Sequence, residues 1–372
     1  MSEAITITED GRGDSAAAKP SFIFKADLRF RHFPELDGLR GCSVLLVVVG
    51  HTMTFKYWRG YRFDLASLGV LGFFVLSGFL ITGLLCSEER RYEKISIKDF
   101  YLRRAFRILP ALTVYLVTII VLKQVGLVTG VSWRAIGYSA LFVENMIGGG
   151  VVVGHLWTLS LEEQFYLAWP LVFLLVGRRK LFAPALGLII GTWVYRAVAI
   201  WLAPWDYGQG IFEHRSDFRM DSILIGCALA LFFDRRPGDR KQFTSFARWG
   251  THPMWVLPLL YLWTVHCEVS PFLGVHLTVQ TVLVCCLAFN IIVFPKSVLG
   301  AILRNPVLRF VGLVSYSLYL WNQLFISTTS PDWGFIRRVP FCIVVSMGVA
   351  VLSYYLVERP FLGLKRRFAY VR

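Results

Sequence analysis

Arg40 and His51 are the first residues whose types and spacing suggest chemistry. They stand in ELDGLRGCSVLLVVVGH, residues 35–51, a run that turns apolar after its acidic start. Eleven residues separate them. At 100° per residue, that is about three turns plus 20°, so on a helix both side chains point the same way, about 16 Å apart along the axis. Read alone, Arg40 is a snorkelling interfacial anchor and His51 a buried histidine satisfied by one hydrogen bond. An ionisable group inside an apolar span is costly, however, and marks function by default, and here two share one face. Neutral imidazole is the usual general base near pH 7, and a guanidinium binds anions.

Three further stretches carry candidate groups. In FYLRRAFRILPAL, residues 100–112, Arg104 and Arg107 lie three apart, on one face of a short helix expected to end before Pro110. They suit either an anchor on anionic lipid or a phosphate clamp, and both describe an anion site at a membrane surface. In GVLGFFVLSGFLIT, residues 69–82, Gly69, Gly72, Ser77 and Gly78 give a helix small patches, with Gly83 just beyond. Such patches admit a neighbouring helix or a thin ligand. GHLWTLSLEEQFYLAWPL, residues 154–171, places Ser160, Glu162, Glu163 and Gln164 near the start of a span. One of the two carboxylates would orient or charge-balance a histidine. A helix-dipole role is the plainer reading. Ser160 is expected to be a helix cap, since no G-x-S-x-G elbow surrounds it.

Weaker signals lie further along. FRMDSILIGCALA sets Arg219 and Asp221 at the outer mouth of a span, where they would pair with each other. SYSLYLWNQLF brings Trp321, Asn322 and Gln323 near another outer end. Both stretches suit a sugar and also suit ordinary interface chemistry. VERPF, with Glu358 and Arg359, reads as a helix stop at Pro360. P-loop, HExxH and EF-hand signatures are absent, and nothing indicates a metal site. The seven cysteines are scattered without a CxxC pair and read as small hydrophobes.

The elements that must hold these groups are membrane helices. Of the 372 residues 56% are hydrophobic and only 17% charged, far from the roughly 25% charged of a soluble domain. About ten apolar spans are expected, at 38–56, 67–86, 108–124, 156–176, 182–203, 217–233, 253–267, 272–294, 310–327 and 339–357. The segment 135–149 is too short and polar for a span and is read as re-entrant or interfacial. With ten spans and the N-terminus inside, the inner loops collect most of the lysines and arginines, so both termini are expected in the cytoplasm. The net charge of +15 therefore reflects membrane orientation, and nucleic acid is set aside as a partner. Residues 1–32 read as a disordered cytoplasmic tail, 33–366 as one membrane domain, and 367–372 as a short cytoplasmic end. The fold class expected is all-α, a polytopic helical bundle.

Taken in order, LDGLRG with Arg-x10-His, FFVLSGFLIT, FYLRRAFRILPAL, WTLSLEEQFYLAWP, RMDSILIG and SYSLYLW with VERPF resemble the membrane acyltransferase 3 family, which includes O-antigen and Nod-factor O-acetyltransferases. The resemblance runs from about residue 33 to 366. It implies an inner-membrane enzyme moving an acyl group, usually acetyl from cytoplasmic acetyl-CoA, to a hydroxyl of a glycan such as a lipopolysaccharide or exopolysaccharide. The family's functional histidine and arginine fall on His51 and Arg40, its paired arginines on Arg104 and Arg107, and its acid on Glu162 or Glu163. On this reading Arg40, Arg104 and Arg107 hold the donor's phosphates. Its pantetheine arm threads the small face of Ser77 and Gly78, and His51 meets the thioester with its tautomer fixed by Glu162 or Glu163. Arg219, Asp221 and Trp321 would face the acceptor, and membrane lipid surrounds the bundle.

Two departures stand out. Many relatives carry His-Trp or His-Tyr where this chain has Asn322-Gln323, so no ligand role is assigned there. Some relatives carry a further span and an extracytoplasmic esterase-like domain, which is not expected in a chain ending at Arg372. The rival reading is a transporter or proton-coupled flippase, in which the same Arg, His and Glu residues form a proton relay. Inverted repeats would favour it, and none is detected. A non-catalytic glycan-binding membrane protein is a third reading.

Overall fold

The computed structural model describes residues 33–52, 57–58, 61–62, 65–147, 151–203, 214–235, 273–326 and 334–365. The tails 1–32 and 367–372, the expected span 253–267 and most of the outer loop 204–216 lie outside the described residues. What is described is helical, apart from a small antiparallel pairing of β1 (Tyr57–Trp58) with β2 (Tyr61–Arg62).

The order begins with α1 (Pro34–Thr52), α2 (Leu65–Tyr92) and α3 (Ile97–Gln124). Three short helices follow, α4 (Trp133–Ala140), α5 (Glu144–Ile147) and α6 (Val151–Gly154). Over its described residues, 135–147, the segment read as re-entrant or interfacial forms no span. Next come α7 (Trp157–Val176), α8 (Phe182–Leu202), α9 (Ser216–Arg235) and α10 (Leu273–Val293). The chain closes with α11 (Val298–Leu303), α12 (Pro306–Leu313), α13 (Ser315–Ile326), α14 (Phe341–Ser353), a π-helical turn over Tyr354–Glu358, and α15 (Arg359–Lys365).

Among the described residues, five helical stretches are long and apolar enough to cross a membrane: Leu65–Tyr92, Ile97–Gln124, Val152–Val176, Phe182–Leu202 and Phe341–Leu364. The other expected spans are not among these five, and 253–267 lies outside the described residues. Helices α1 and α9 have 19 and 20 residues, but charges interrupt their apolar runs. The expected span 310–327 is broken at Val314 into α12 and α13.

Two proline expectations are also corrected. Helix α3 does not stop before Pro110; it starts at Ile97, capped by the Ser96 hydroxyl, and runs on to Gln124. A proline costs a helix one backbone bond, and packing compensates for it here: the turn around it is buried through Ile108, Ala111 and Leu112. The last span likewise does not stop at Pro360. The π turn and α15 carry it to Lys365.

The core is the contact of α2 with α1 and α9. A methyl group added at Gly78 would overlap the Ile223 carbonyl oxygen of α9, and one at Gly226 of α9 would overlap the Val75 carbonyl of α2. Small residues facing each other let two backbones approach, which is how helices pack without a hydrophobic difference from lipid. Gly69 and Gly72 meet α1 in the same way, at Ser43. At the arginine-rich end, Asp234 on α9 holds Arg178 at 2.7 Å and Arg90 of α2 at 3.1 Å. Glu88 of α2 holds Arg103 of α3 at 2.9 Å, which sets the rotation of α3 and aims its other arginines.

Candidate active site

A cleft with about 840 Å³ of atom-free space opens between α1, α2, α3, α7 and α13. Arg40, Arg104 and Arg107 all line it, together with Ser77 and Glu162. Four residues expected at the donor, Arg40, Arg104, Arg107 and Ser77, therefore converge with Glu162, which was expected at His51, although the five come from four helices. The remaining wall is largely apolar, with Val70, Phe73, Phe74 and Leu80 of α2. Arg104 lies over the Tyr166 ring, 4.5 Å from its centroid. The guanidinium is thus held by an aromatic face and keeps its hydrogen-bond donors for an anion.

Gly78 is elsewhere. Its face of α2 is filled by α9, and the faces of Gly69 and Gly72 are filled by α1. At Gly69, Gly72 and Gly78 the neighbouring helix takes up the space that the glycine leaves. The cleft-facing side of α2 is the one bearing Phe73, Phe74 and Ser77.

The acids take different partners from those expected. Glu162 accepts a hydrogen bond from Ser77 Oγ at 2.6 Å, inside the cleft. Glu163 is partly buried, and its Oε1 has no hydrogen-bond partner among the described residues. Ser160 is no cap: it lies within α7, fully buried, and its hydroxyl donates to the Leu156 carbonyl at 3.1 Å.

The contact that orients His51 comes from the pair assigned no role in the sequence. His51 Nδ1 lies 3.0 Å from Asn322 Oδ1. The Asn322 amide cannot be turned round, because its nitrogen donates to the carbonyls of Leu318 at 3.1 Å and Tyr319 at 2.6 Å. An amide oxygen only accepts, so Nδ1 carries the proton and Nε2 is the basic nitrogen. Gln323 Nε2 stands beside the ring edge, 3.0 Å from His51 Nδ1 and 3.2 Å from Nε2. The signal for this pair was present as two amides side by side in an apolar, buried helix.

His155 was also passed over. It is buried, its Nε2 lies 3.2 Å from the Leu320 carbonyl, and its ring packs against Tyr115 and Tyr319. Tyr319 and Thr158, whose hydroxyls lie 2.6 Å apart, line the cleft beside it.

Arg219, Asp221 and Trp321 do not form an open mouth. They are 3%, 0% and 7% exposed, and none lines the cleft. Asp221 pairs with Arg196 of α8 at 2.9 Å and accepts from Trp193 Nε1 at 2.9 Å, so the expected Arg219–Asp221 pair is replaced. A buried carboxylate takes the cation that can be desolvated with it, and Arg196 is only 1% exposed. Arg219 lies over the Trp157 ring, 5.8 Å from its centroid, and Trp321 packs edge-on against Tyr115. Glu358, read as part of a helix stop, is buried and paired with Arg107 at 3.3 Å.

A family model described as an acyltransferase domain matches residues 33–356. The putative peptidoglycan O-acetyltransferase YrhL of Bacillus subtilis is 30% identical over 365 residues, covering 89% of this chain and 55% of its own length. The peptidoglycan O-acetyltransferase OatA of Listeria monocytogenes is 30% identical over 359 residues, covering 89% and 56%. A putative O-acetyltransferase of Staphylococcus aureus is 30% identical over 362 residues, covering 90% and 58%. The chain therefore spans little more than half the length of these curated relatives. No solved structure matches. With the family model covering most of its residues, and with Arg40, Arg104 and Arg107 gathered on one cleft, the chain belongs to the membrane acyltransferase 3 family.

Proposed function

We propose that this protein moves an acyl group, acetyl by preference, from acyl-CoA to a hydroxyl of a cell-envelope glycan. The observation that carries the reading is the convergence of Arg40, Arg104 and Arg107 on one largely apolar cleft. Coenzyme A is polyanionic at one end and carries its thioester on a long thin arm. Guanidinium forks match the phosphates, and the Val70, Phe73 and Phe74 wall accepts the arm. The arm is of the same order as the Arg40–His51 rise of about 16 Å. By the positive-inside rule the arginine-rich end faces the cytoplasm of the inner membrane, where the donor is. His51 then lies further along the same helix.

In the transfer, His51 Nε2 takes the proton of the acceptor hydroxyl while its oxygen attacks the thioester carbonyl carbon. The C–S bond breaks as the C–O bond forms. The proton then passes from the imidazolium to the leaving thiolate. Asn322 holds the tautomer that leaves Nε2 basic. The names of the relatives point to peptidoglycan as the acceptor class. Glu162, hydrogen-bonded to Ser77 beside the arginines, offsets part of the positive charge of the cleft.

The test is acetyl transfer and slow acetyl-CoA hydrolysis by purified protein. His51→Ala is expected to abolish both while the protein stays folded. Arg104→Ala is expected to raise the donor KM about ten- to a hundred-fold, the loss of a charged hydrogen bond of about 1.5–3 kcal/mol. Normal turnover by the His51 variant, or an unchanged donor KM with Arg104→Ala, would sink these assignments.

A further inference from the structure

Arg107 faces two ways. Its side chain is 17% exposed on the cleft, and its Nη1 lies 3.3 Å from Glu358 Oε2, a carboxylate only 1% exposed behind it. The Tyr316 ring lies 5.9 Å from its guanidinium carbon. Glu358 is the last residue of the π turn, Tyr354–Glu358, that continues α14. Such turns cost packing energy and cluster at functional sites.

The carboxylate does not depend on Arg107 alone. Its other oxygen accepts a hydrogen bond from Ser317 Oγ of α13, and Ser353 Oγ lies 3.0 Å from Ser317 Oγ. Ser317 is fully buried and Ser353 nearly so. The arrangement has a cation with a route to the cleft, an anion with none, and a pair of hydroxyls behind the anion.

A guanidinium facing a largely apolar cleft needs a counter-charge, because an unpaired charge in low dielectric is costly. A donor phosphate offers Arg107 the same acceptor chemistry that Glu358 offers. The two anions therefore compete for one cation. The carboxylate can yield, since Ser317 keeps one oxygen satisfied when the guanidinium turns to the cleft.

We propose that Glu358 is a resident counter-ion of the donor site, displaced from Arg107 by a phosphate of the donor and returning to it as the spent coenzyme leaves. Glu358 is then a positioning residue that lowers donor affinity and favours release. The proposal rests on the acyl-CoA reading above.

The experiment measures coenzyme A binding to the full chain in lipid nanodiscs by equilibrium titration, with thermal unfolding in parallel. Glu358→Gln keeps the shape and removes the competing charge, so Kd is expected to fall about five-fold. On an Arg107→Ala background the same change is expected to have no effect on Kd. Ser317→Ala leaves the carboxylate leaning on Arg107 alone, so Kd is expected to rise about three-fold. A Glu358→Gln protein that binds coenzyme A no tighter than wild type overturns the proposal. So does equal tightening on the Arg107→Ala background, or a lowered unfolding temperature with Kd unchanged. If Glu358→Gln does not fold, Ser317→Ala decides, and an unchanged or lower Kd overturns the idea. A wild-type protein that binds no coenzyme A refutes the acyl-CoA reading itself, and the counter-ion falls with it. Binding by wild type without the Glu358 effect refutes the counter-ion alone.

Discussion

His51 Nδ1 and Asn322 Oδ1 lie 3.0 Å apart, although 271 residues separate them in the chain. That contact decides which imidazole nitrogen is basic. Asn322 is fully buried, and its own amide nitrogen is occupied by two backbone carbonyls of α13, so it has no freedom to reverse. The first prediction follows from it. Asn322→Leu, of similar volume, is expected to lower kcat about ten- to a hundred-fold by releasing the tautomer, a loss of about 1.4–2.7 kcal/mol. The donor KM is expected to hold. Steady-state kinetics on both substrates check this, and a changed donor KM with normal kcat would place Asn322 outside the reaction.

Gly78 tests packing against ligand binding. Gly78→Ala is expected to drive α2 away from α9 and destabilise the protein by about 1–3 kcal/mol, as over-packing does. Gly191→Ala in α8, where an added methyl meets nothing within 4 Å, is expected to be neutral or slightly stabilising. Thermal unfolding in detergent compares the two. A Gly78→Ala protein with wild-type stability and weakened donor binding would return Gly78 to the donor site.

The Arg196–Asp221 pair offers a third prediction. Asp221→Ala strands a guanidinium that is 1% exposed, at an expected cost of about 3–5 kcal/mol. Replacing both, with Arg196→Met and Asp221→Leu, is expected to recover most of that stability. Comparison of the unfolding midpoints of single and double variants checks it. Equal destabilisation in the double variant would mean that the charges do more than satisfy each other.

The sequence alone determined the class of molecule and picked out the three arginines that line the cleft. Composition and apolar run length place helices in a membrane because hydrocarbon admits no unpaired backbone. Arg40, Arg104 and Arg107 were legible because a charge beside such runs is costly enough to need a reason. Helical periodicity also shows, within one helix, that Arg40 and His51 share a face. Periodicity says nothing about which other helix that face meets. The sequence therefore left open what Ser77, Gly78, Glu162 and Asp221 would touch, and it misread several. Glycine patches look alike whether a ligand or a helix fills them; the approach of α9 to Gly78 settled that. Charges close in sequence invite pairing, as with Arg219 and Asp221, but a buried carboxylate pairs with whichever cation the packing desolvates beside it, here Arg196. Pro110 and Pro360 read as stops because local propensity says so, and tertiary burial carried the helices past both. The contacts that define the site, His51 with Asn322 and Arg107 with Glu358, join residues more than 200 positions apart. Only the folded bundle decides such contacts, because they depend on how helices rotate against one another, and local sequence does not encode that rotation.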